Sequence, residues 1–318
     1  MRTENVIRFF FRILQIKIFK FFFRIIETIV VWYYIKSFKK KRKIDGKFFR
    51  FIQLFSEKLH TIKRRKNHEI LIENLDLNLE FDRKIYKLAY RSYAKIFEIN
   101  ESDVKSAVGY FHNQKIYDSH IPFIDAYPTQ LIGMKDFLND KKYHYGSFDI
   151  QTSLNCNVVK KFCCTDLLWK IARKYLNTNH VEIYSINTML SKQSETKNYV
   201  VNFHQDFDSA SSLTFFVYWT DVTKFNGATR LMPGSHLFTY DRRLPSYIGE
   251  PLIDYLEGKS GSIFAVDTWA YHAGNLNLTS PRLTTWIRFT SMPSAKHYRD
   301  KDYLFKKNLD EINNAKKF

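Results

Sequence analysis

The feature that most constrains this chain is the pattern His204-x-Asp206, followed at a distance by His272 and Arg282. The pair lies in a run of strand character, residues 199–207. Alternate residues of a strand share a face, so His204 and Asp206 are expected to point the same way. Two imidazoles and one carboxylate form the ligand set of a 2-His-1-carboxylate iron site. A fold that uses this site must bring two distant segments together at one point.

The sequence that surrounds these residues is more specific than the pair itself. It contains LTFFVYWTD at 213–221, NGATRLMPGSH at 226–236, and GSIFAVDTWAYH at 261–272. Together with the first pair, these runs resemble the phytanoyl-CoA dioxygenase family of Fe(II)/2-oxoglutarate oxygenases. The likeness covers roughly residues 180–290 and is absent before about residue 105.

The resemblance implies a role for each matching residue. His204, Asp206 and His272 match the iron ligands, whereas His236 matches a family position that is not a ligand. Arg282 matches the arginine that holds the distal carboxylate of 2-oxoglutarate. Arginine suits this task because its guanidinium is planar, always charged and bidentate. The resemblance also implies O2 as a cosubstrate.

Asp206 bears on the type of reaction that the resemblance implies. Related halogenating enzymes have a small residue at the carboxylate position, and this chain retains a carboxylate there. Oxygen transfer is therefore favoured over halogenation. The expected activity is hydroxylation of a small-molecule or lipid-like substrate, coupled to decarboxylation of 2-oxoglutarate to succinate and CO2.

Residues 282–289 have the β-branched and aromatic content of a strand, so alternate residues are expected to share the face of Arg282. Thr284 on that face is a candidate second donor to the cosubstrate. Candidates for the substrate pocket are Tyr184, Asn187, Tyr199, Trp286 and Arg288. The alternative role for the uncharged residues of this group is core packing. For Arg288 it is a strand-end charge that reaches solvent.

Strand patterns dominate residues 181–292, punctuated by turn signals such as Asn226-Gly227. They predict a mainly β fold with a double-stranded β-helix core, a jelly-roll or cupin-like barrel with helices packed outside. Helical patterns occur at 67–105, most clearly at 85–97, and at 166–176. Three regions are predicted: a basic amphipathic region at 1–66, an oxygenase domain at 67–296, and a charged tail at 297–318.

Several other classes of protein have no support in this sequence. It has no Walker loop, no G-x-G-x-x-G and no G-x-S-x-G. Its three cysteines contain no C-x-x-C pair, which argues against a disulfide framework and favours a reducing, cytoplasmic compartment. Two functions remain: an oxygenase, or a non-catalytic cupin-like binding protein. The complete set of His204, Asp206, His272 and Arg282 favours the enzyme.

The positive charge of the chain is concentrated near its start. The net charge is +18, and the basic runs KSFKKKRK and KRRK lie within the first 66 residues. Residues 5–35 place basic side chains on one half of a helical wheel and apolar ones on the other. The longest uncharged run there, 28–35, is too short for a transmembrane span. The alternatives are peripheral binding to the inner face of a membrane, docking on the protein's own core, or nucleic-acid binding, for which no motif is present.

The membrane alternative predicts that residues 1–43 carry vesicle binding. Full-length protein should sediment with anionic vesicles at low salt and less at high salt, because salt screens the basic face. Protein without residues 1–43 should stay in the supernatant. Equal sedimentation of both forms would contradict the membrane alternative, and aggregation of the shortened protein would favour docking on the core.

Overall fold

The protein is described by a computed structural model that covers residues 64–118, 130–193, 202–206, 211–237, 252–275, 279–291 and 303–316. These residues fall in one compact unit, Lys63–Phe318. Residues 1–63 of the predicted basic amphipathic region at 1–66, and Tyr199, lie outside them. Within the described ranges, no helix is long and apolar enough to cross a membrane.

In the described part of the chain, seven α-helices are interleaved with the first four strands up to residue 176, and an eighth follows the last strand. They are α1 (64–73), α2 (Glu80–Arg91), α3 (Glu101–His112), α4 (Met134–Asn139), α5 (Ile150–Asn155), α6 (Asn157–Cys163), α7 (Asp166–Leu176) and α8 (Tyr303–Ala315). The helix predicted at 166–176 is confirmed as α7, which buries Leu168 and Trp169 on one face and ends at Asn177 in the left-handed conformation.

The strands of the described ranges form two sheets. They are β1 (Tyr93–Glu98), β2 (Lys115–Tyr117), β3 (Leu131–Gly133), β4 (Tyr145–Phe148), β5 (Glu182–Ser191), β6 (Ser212–Tyr218), β7 (Arg230–Leu231), β8 (Asp254–Tyr255), β9 (Ser262–Val266), β10 (His272–Ala273) and β11 (Arg282–Thr290). The larger sheet has the order β1-β9-β6-β11-β5-β4-β2-β3, and the smaller has the order β10-β7-β8. All of their pairings are antiparallel. This confirms the predicted mainly β, jelly-roll fold class.

Strand β11 shows how the larger sheet separates two packed layers. Its odd-numbered residues, such as Ile287 and Phe289, join the core that the helices cover. Phe289 meets Trp169 of α7 at a ring-centroid distance of 5.0 Å. On the opposite face, Trp286 packs on Phe216 with a centroid distance of 5.4 Å. Because successive residues of a strand alternate between faces, Arg282, Thr284 and Arg288 share the face of Trp286.

The helix predicted across residues 85–97 is wrong in its second half. Helix α2 ends at Arg91 because Ser92 adopts a left-handed conformation with φ of 70°. Residues Tyr93–Glu98 then form β1, which pairs with β9 and buries Ala94 and Ile96. The short apolar run satisfies both a helical and a strand pattern, and pairing with a strand far along the chain decides between them.

Candidate metal centre

An antiparallel β-bridge between His204 and His272 brings the separated ligand candidates together. The backbone N–H groups of His204 and His272 each donate to the other residue's carbonyl oxygen at 2.9 Å. Two residues on, the N–H of Asp206 donates to the Thr268 carbonyl at 3.0 Å. These three hydrogen bonds fix the register between the His204–Asp206 segment and the segment that leads into β10.

The three side chains converge at this contact. Nε2 of His204 lies 3.8 Å from Oδ1 of Asp206, and Nε2 of His272 lies 3.8 Å from Oδ2 of the same carboxylate. All candidate ligand atoms lie within 4.8 Å of one another. This is a separation that one ion can bridge after small side-chain adjustments. The structure thus brings together the three residues that the sequence predicted as ligands.

Both imidazoles are oriented by backbone carbonyls. Nδ1 of His204 donates to the Asn202 carbonyl at 2.9 Å, and Nδ1 of His272 donates to the Ala270 carbonyl at 2.9 Å. A carbonyl oxygen only accepts, so the proton of each neutral ring sits on Nδ1 and leaves the Nε2 lone pair for a metal. A hydrogen bond to the non-ligating nitrogen is the usual support of a metal-binding histidine. The donor set therefore fits Fe(II).

The charge states also suit a cation. Burial, together with the neighbouring His204, lowers the pKa of His272 to about 4, which keeps its imidazole neutral at physiological pH. Burial alone would raise the pKa of Asp206, but Arg288 and the two histidines more than offset it and leave the pKa below its ordinary value. The site therefore offers a neutral imidazole on His272 and an ionised carboxylate on Asp206.

The two residues predicted to bind the cosubstrate, Arg282 and Thr284, lie at the buried end of the β11 face that also carries Trp286 and Arg288. Arg282 is 5% exposed and Thr284 is 1% exposed. Nη1 of Arg282 donates to the carbonyl of Gly227, which holds the guanidinium in place. Nε of Arg282 and Oγ1 of Thr284 have no hydrogen-bond partner in the described part of the chain. Buried donors of this kind are costly unless a ligand satisfies them, and an anion would do so.

The predicted substrate residues differ in position: Arg288 faces the ligand cluster, whereas Tyr184 is fully buried in β5. Arg288 is 18% exposed at its side chain, and its Nη2 lies 3.4 Å from Oδ2 of Asp206, so it faces the ligand cluster. Its guanidinium lies 5.5 Å from the ring centroid of Trp286, and Trp286 pairs in register with Asn187. Tyr184, by contrast, is fully buried at the irregularity in β5 opposite Arg288 and Phe289.

His236 lies away from the ligand cluster. Its Nδ1 lies 2.7 Å from Oγ of Ser92, and its ring packs edge-on against His68. Burial lowers its pKa to about 4. Sequence reasoning did not identify Asn202, Thr268 and Ala270 as supports of the site, because they act through backbone carbonyls, which every residue type has.

Comparison with known families agrees with this geometry. Residues 135–282 match the phytanoyl-CoA dioxygenase (PhyH) family. The resemblance that the sequence motifs indicated is thereby confirmed, and the match starts earlier than residue 180, where the motifs become recognisable. The phytanoyl-CoA dioxygenase segment includes all three ligand candidates and ends at Arg282. Among curated proteins, no sequence matches this chain.

Three solved structures resemble the chain at low sequence identity. The α-ketoglutarate-dependent epimerase SnoN of nogalamycin biosynthesis is 15% identical with a TM-score of 0.49, over 66% of this chain and 82% of its own. HygX from Streptomyces hygroscopicus, solved with nickel, 2-oxoglutarate and hygromycin B, is 13% identical with a TM-score of 0.47, over 65% of this chain and 86% of its own. EctD from S. alaskensis, with 2-oxoglutarate and 5-hydroxyectoine, is 17% identical with a TM-score of 0.47, over 66% and 75%.

We expect His272→Ala to abolish binding of one Fe(II) per chain, because it removes one of three protein ligands. Anaerobic Fe(II) titration of the full chain measures this, and thermal unfolding checks that the variant is folded. His236→Ala serves as the matched control and should retain stoichiometric binding. Loss of binding in His236→Ala but not in His272→Ala would contradict the assignment of the ligands.

Proposed function

We propose that this protein is a non-haem Fe(II)/2-oxoglutarate-dependent dioxygenase. The observation that carries the proposal is the convergence of His204, Asp206 and His272, with both Nε2 atoms facing the carboxylate. The phytanoyl-CoA dioxygenase match over the same segment supports it. A bound anion such as 2-oxoglutarate would satisfy the two buried donors, on Arg282 and Thr284, that have no partner in the described part of the chain.

Each residue of the site has a proposed task. His204, Asp206 and His272 would hold Fe(II), and Arg282 with Thr284 would hold the distal carboxylate of 2-oxoglutarate. Bound iron would supply the O2 chemistry that the oxidative decarboxylation to succinate and CO2 requires. The burial of Arg282 excludes water from its pairing with the carboxylate, which strengthens a charge-assisted, bidentate contact.

We further propose hydroxylation as the outcome and a small substrate that carries an anionic group. Asp206 retains the carboxylate that favours oxygen transfer over halogenation. Trp286 and Arg288 are the partly exposed residues of the β11 face, so this end, rather than the Arg282 end, would receive substrate. The Arg288 guanidinium has five N–H donors and is partly exposed, so besides its pairing with Asp206 at 3.4 Å it could bind an anionic group, and Asn187 beside Trp286 could add a polar contact. Tyr184 and Tyr199 remain predicted members of the pocket.

The cosubstrate assignment is tested by Arg282→Lys, which keeps the charge but loses the bidentate fork. A charge-assisted pair of this kind contributes roughly 1.5–3 kcal/mol, so the affinity for 2-oxoglutarate should fall by about one to two decades. The measurement is the concentration of 2-oxoglutarate that gives half-maximal Fe(II)-dependent succinate release in the absence of added substrate.

Arg288→Lys is the matched control, because it makes the same change on the same face of β11. It should leave the dependence on 2-oxoglutarate nearly unchanged. The reverse ranking of the two variants would move the cosubstrate site to Arg288. Protein that binds Fe(II) and 2-oxoglutarate but releases no succinate would contradict the proposed enzyme and favour the cupin-like binding protein.

A further inference from the structure

A second buried charged cluster lies beside the metal centre. Asp267 is 1% exposed, and its Oδ2 accepts hydrogen bonds from Nη1 of Arg64 and from the hydroxyl of Tyr175, both at 2.6 Å. Its Oδ1 accepts from the backbone N–H of Trp269 at 3.0 Å. A buried carboxylate is tolerated only when it is paired and hydrogen-bonded, and Asp267 meets both conditions.

The cluster joins parts of the chain that are far apart in sequence. Arg64 belongs to α1 and Tyr175 to α7, whereas Asp267 follows β9. The Arg64 guanidinium also lies 4.7 Å from the centroid of the Trp269 ring, so it contacts the loop after β9 at two points. Through these two contacts, Arg64 holds the loop of residues 267–272 against the helical layer.

The loop that Arg64 holds is the one that supports the metal ligands. Its Thr268 carbonyl accepts from the Asp206 N–H at 3.0 Å, and its Ala270 carbonyl accepts from Nδ1 of His272 at 2.9 Å. Its Trp269 carbonyl accepts from Nε2 of Gln205 at 2.6 Å. Thr268 and Trp269 thus each accept a hydrogen bond from the His204–Asp206 segment, and Ala270 orients the ring of His272.

We propose that Arg64 and Tyr175, acting through Asp267, are positioning residues of the metal centre. By holding residues 267–272, they fix the two carbonyls that direct Asp206 and His272. This inference rests on the proposed metal site. Residues that orient metal ligands from outside the coordination sphere commonly change metal affinity by about 10–100-fold when they are mutated. A cluster that served only overall stability would change the unfolding temperature and leave the affinity for metal alone.

The test is Arg64→Gln in the full chain, with Co(II) as the probe ion. We expect the Co(II) affinity to fall about tenfold and the visible Co(II) absorption to change in position or intensity, because the ligand geometry relaxes. Arg64→Lys keeps a positive charge beside Asp267, so this variant should bind Co(II) more tightly than Arg64→Gln. Thermal unfolding of each variant separates these effects from loss of stability.

The chain offers a matched control in Arg91. Its guanidinium and the Tyr93 hydroxyl both donate to Asp254 of β8, which repeats the arginine–tyrosine–aspartate arrangement at a more exposed aspartate outside the 267–272 loop. Arg91→Gln removes a comparable pair that does not contact residues 268–270 directly, so it should change the Co(II) affinity and spectrum much less than Arg64→Gln does. An equal loss of affinity in Arg91→Gln and Arg64→Gln would overturn the positioning role.

Tyr175→Phe keeps the test decisive if Arg64→Gln does not fold, because it removes a single hydroxyl from the cluster. We expect a smaller, about threefold, loss of Co(II) affinity. Wild-type affinity and spectrum in the folded variants of Arg64 and Tyr175 would overturn the inference while leaving the metal site intact. Wild-type Co(II) binding that survives His272→Ala would instead overturn both the metal site and its positioning.

Discussion

The structure of the site depends on the pair of backbone hydrogen bonds between His204 and His272. This contact links the smaller sheet to the His204–Asp206 segment and sets the register in which three side chains meet. Displacement by one residue would turn one imidazole to the opposite face, because side chains alternate along extended chains. The Thr268 carbonyl accepts a hydrogen bond from the Asp206 N–H, and the Ala270 carbonyl accepts one from Nδ1 of His272. These two contacts orient the side chains that the His204–His272 pair has brought together.

The candidate cosubstrate residues and two of the candidate substrate residues lie along a single face of β11. At its first residues, Arg282 and Thr284 are buried and carry donors that a bound anion would satisfy. Further along, Trp286 and Arg288 are partly exposed, and Arg288 approaches Asp206. The strand thus provides an enclosed end suited to a cosubstrate and a more open end suited to a substrate, with the ligand cluster beside it.

The sequence predicted the fold class and the three side chains that the structure brings together, because local patterns and short motifs indicate both. It misassigned residues 93–97, since a short apolar run does not distinguish helix from strand until its partner β9 is known. It gave no sign of the contact between Arg64 and Asp267, which are 203 residues apart and belong to no shared motif. The carbonyl groups that orient His204 and His272 are equally invisible, since they depend on backbone geometry rather than residue type.

A crystal structure of the full chain, grown anaerobically with Fe(II) and 2-oxoglutarate, would test the proposed iron and cosubstrate sites together. We predict one iron, located by its anomalous scattering, bonded to Nε2 of His204, Nε2 of His272 and the Asp206 carboxylate. We also predict the distal carboxylate of 2-oxoglutarate on the Arg282 guanidinium. Iron bound elsewhere, or 2-oxoglutarate bound without contact to Arg282, would contradict these predictions.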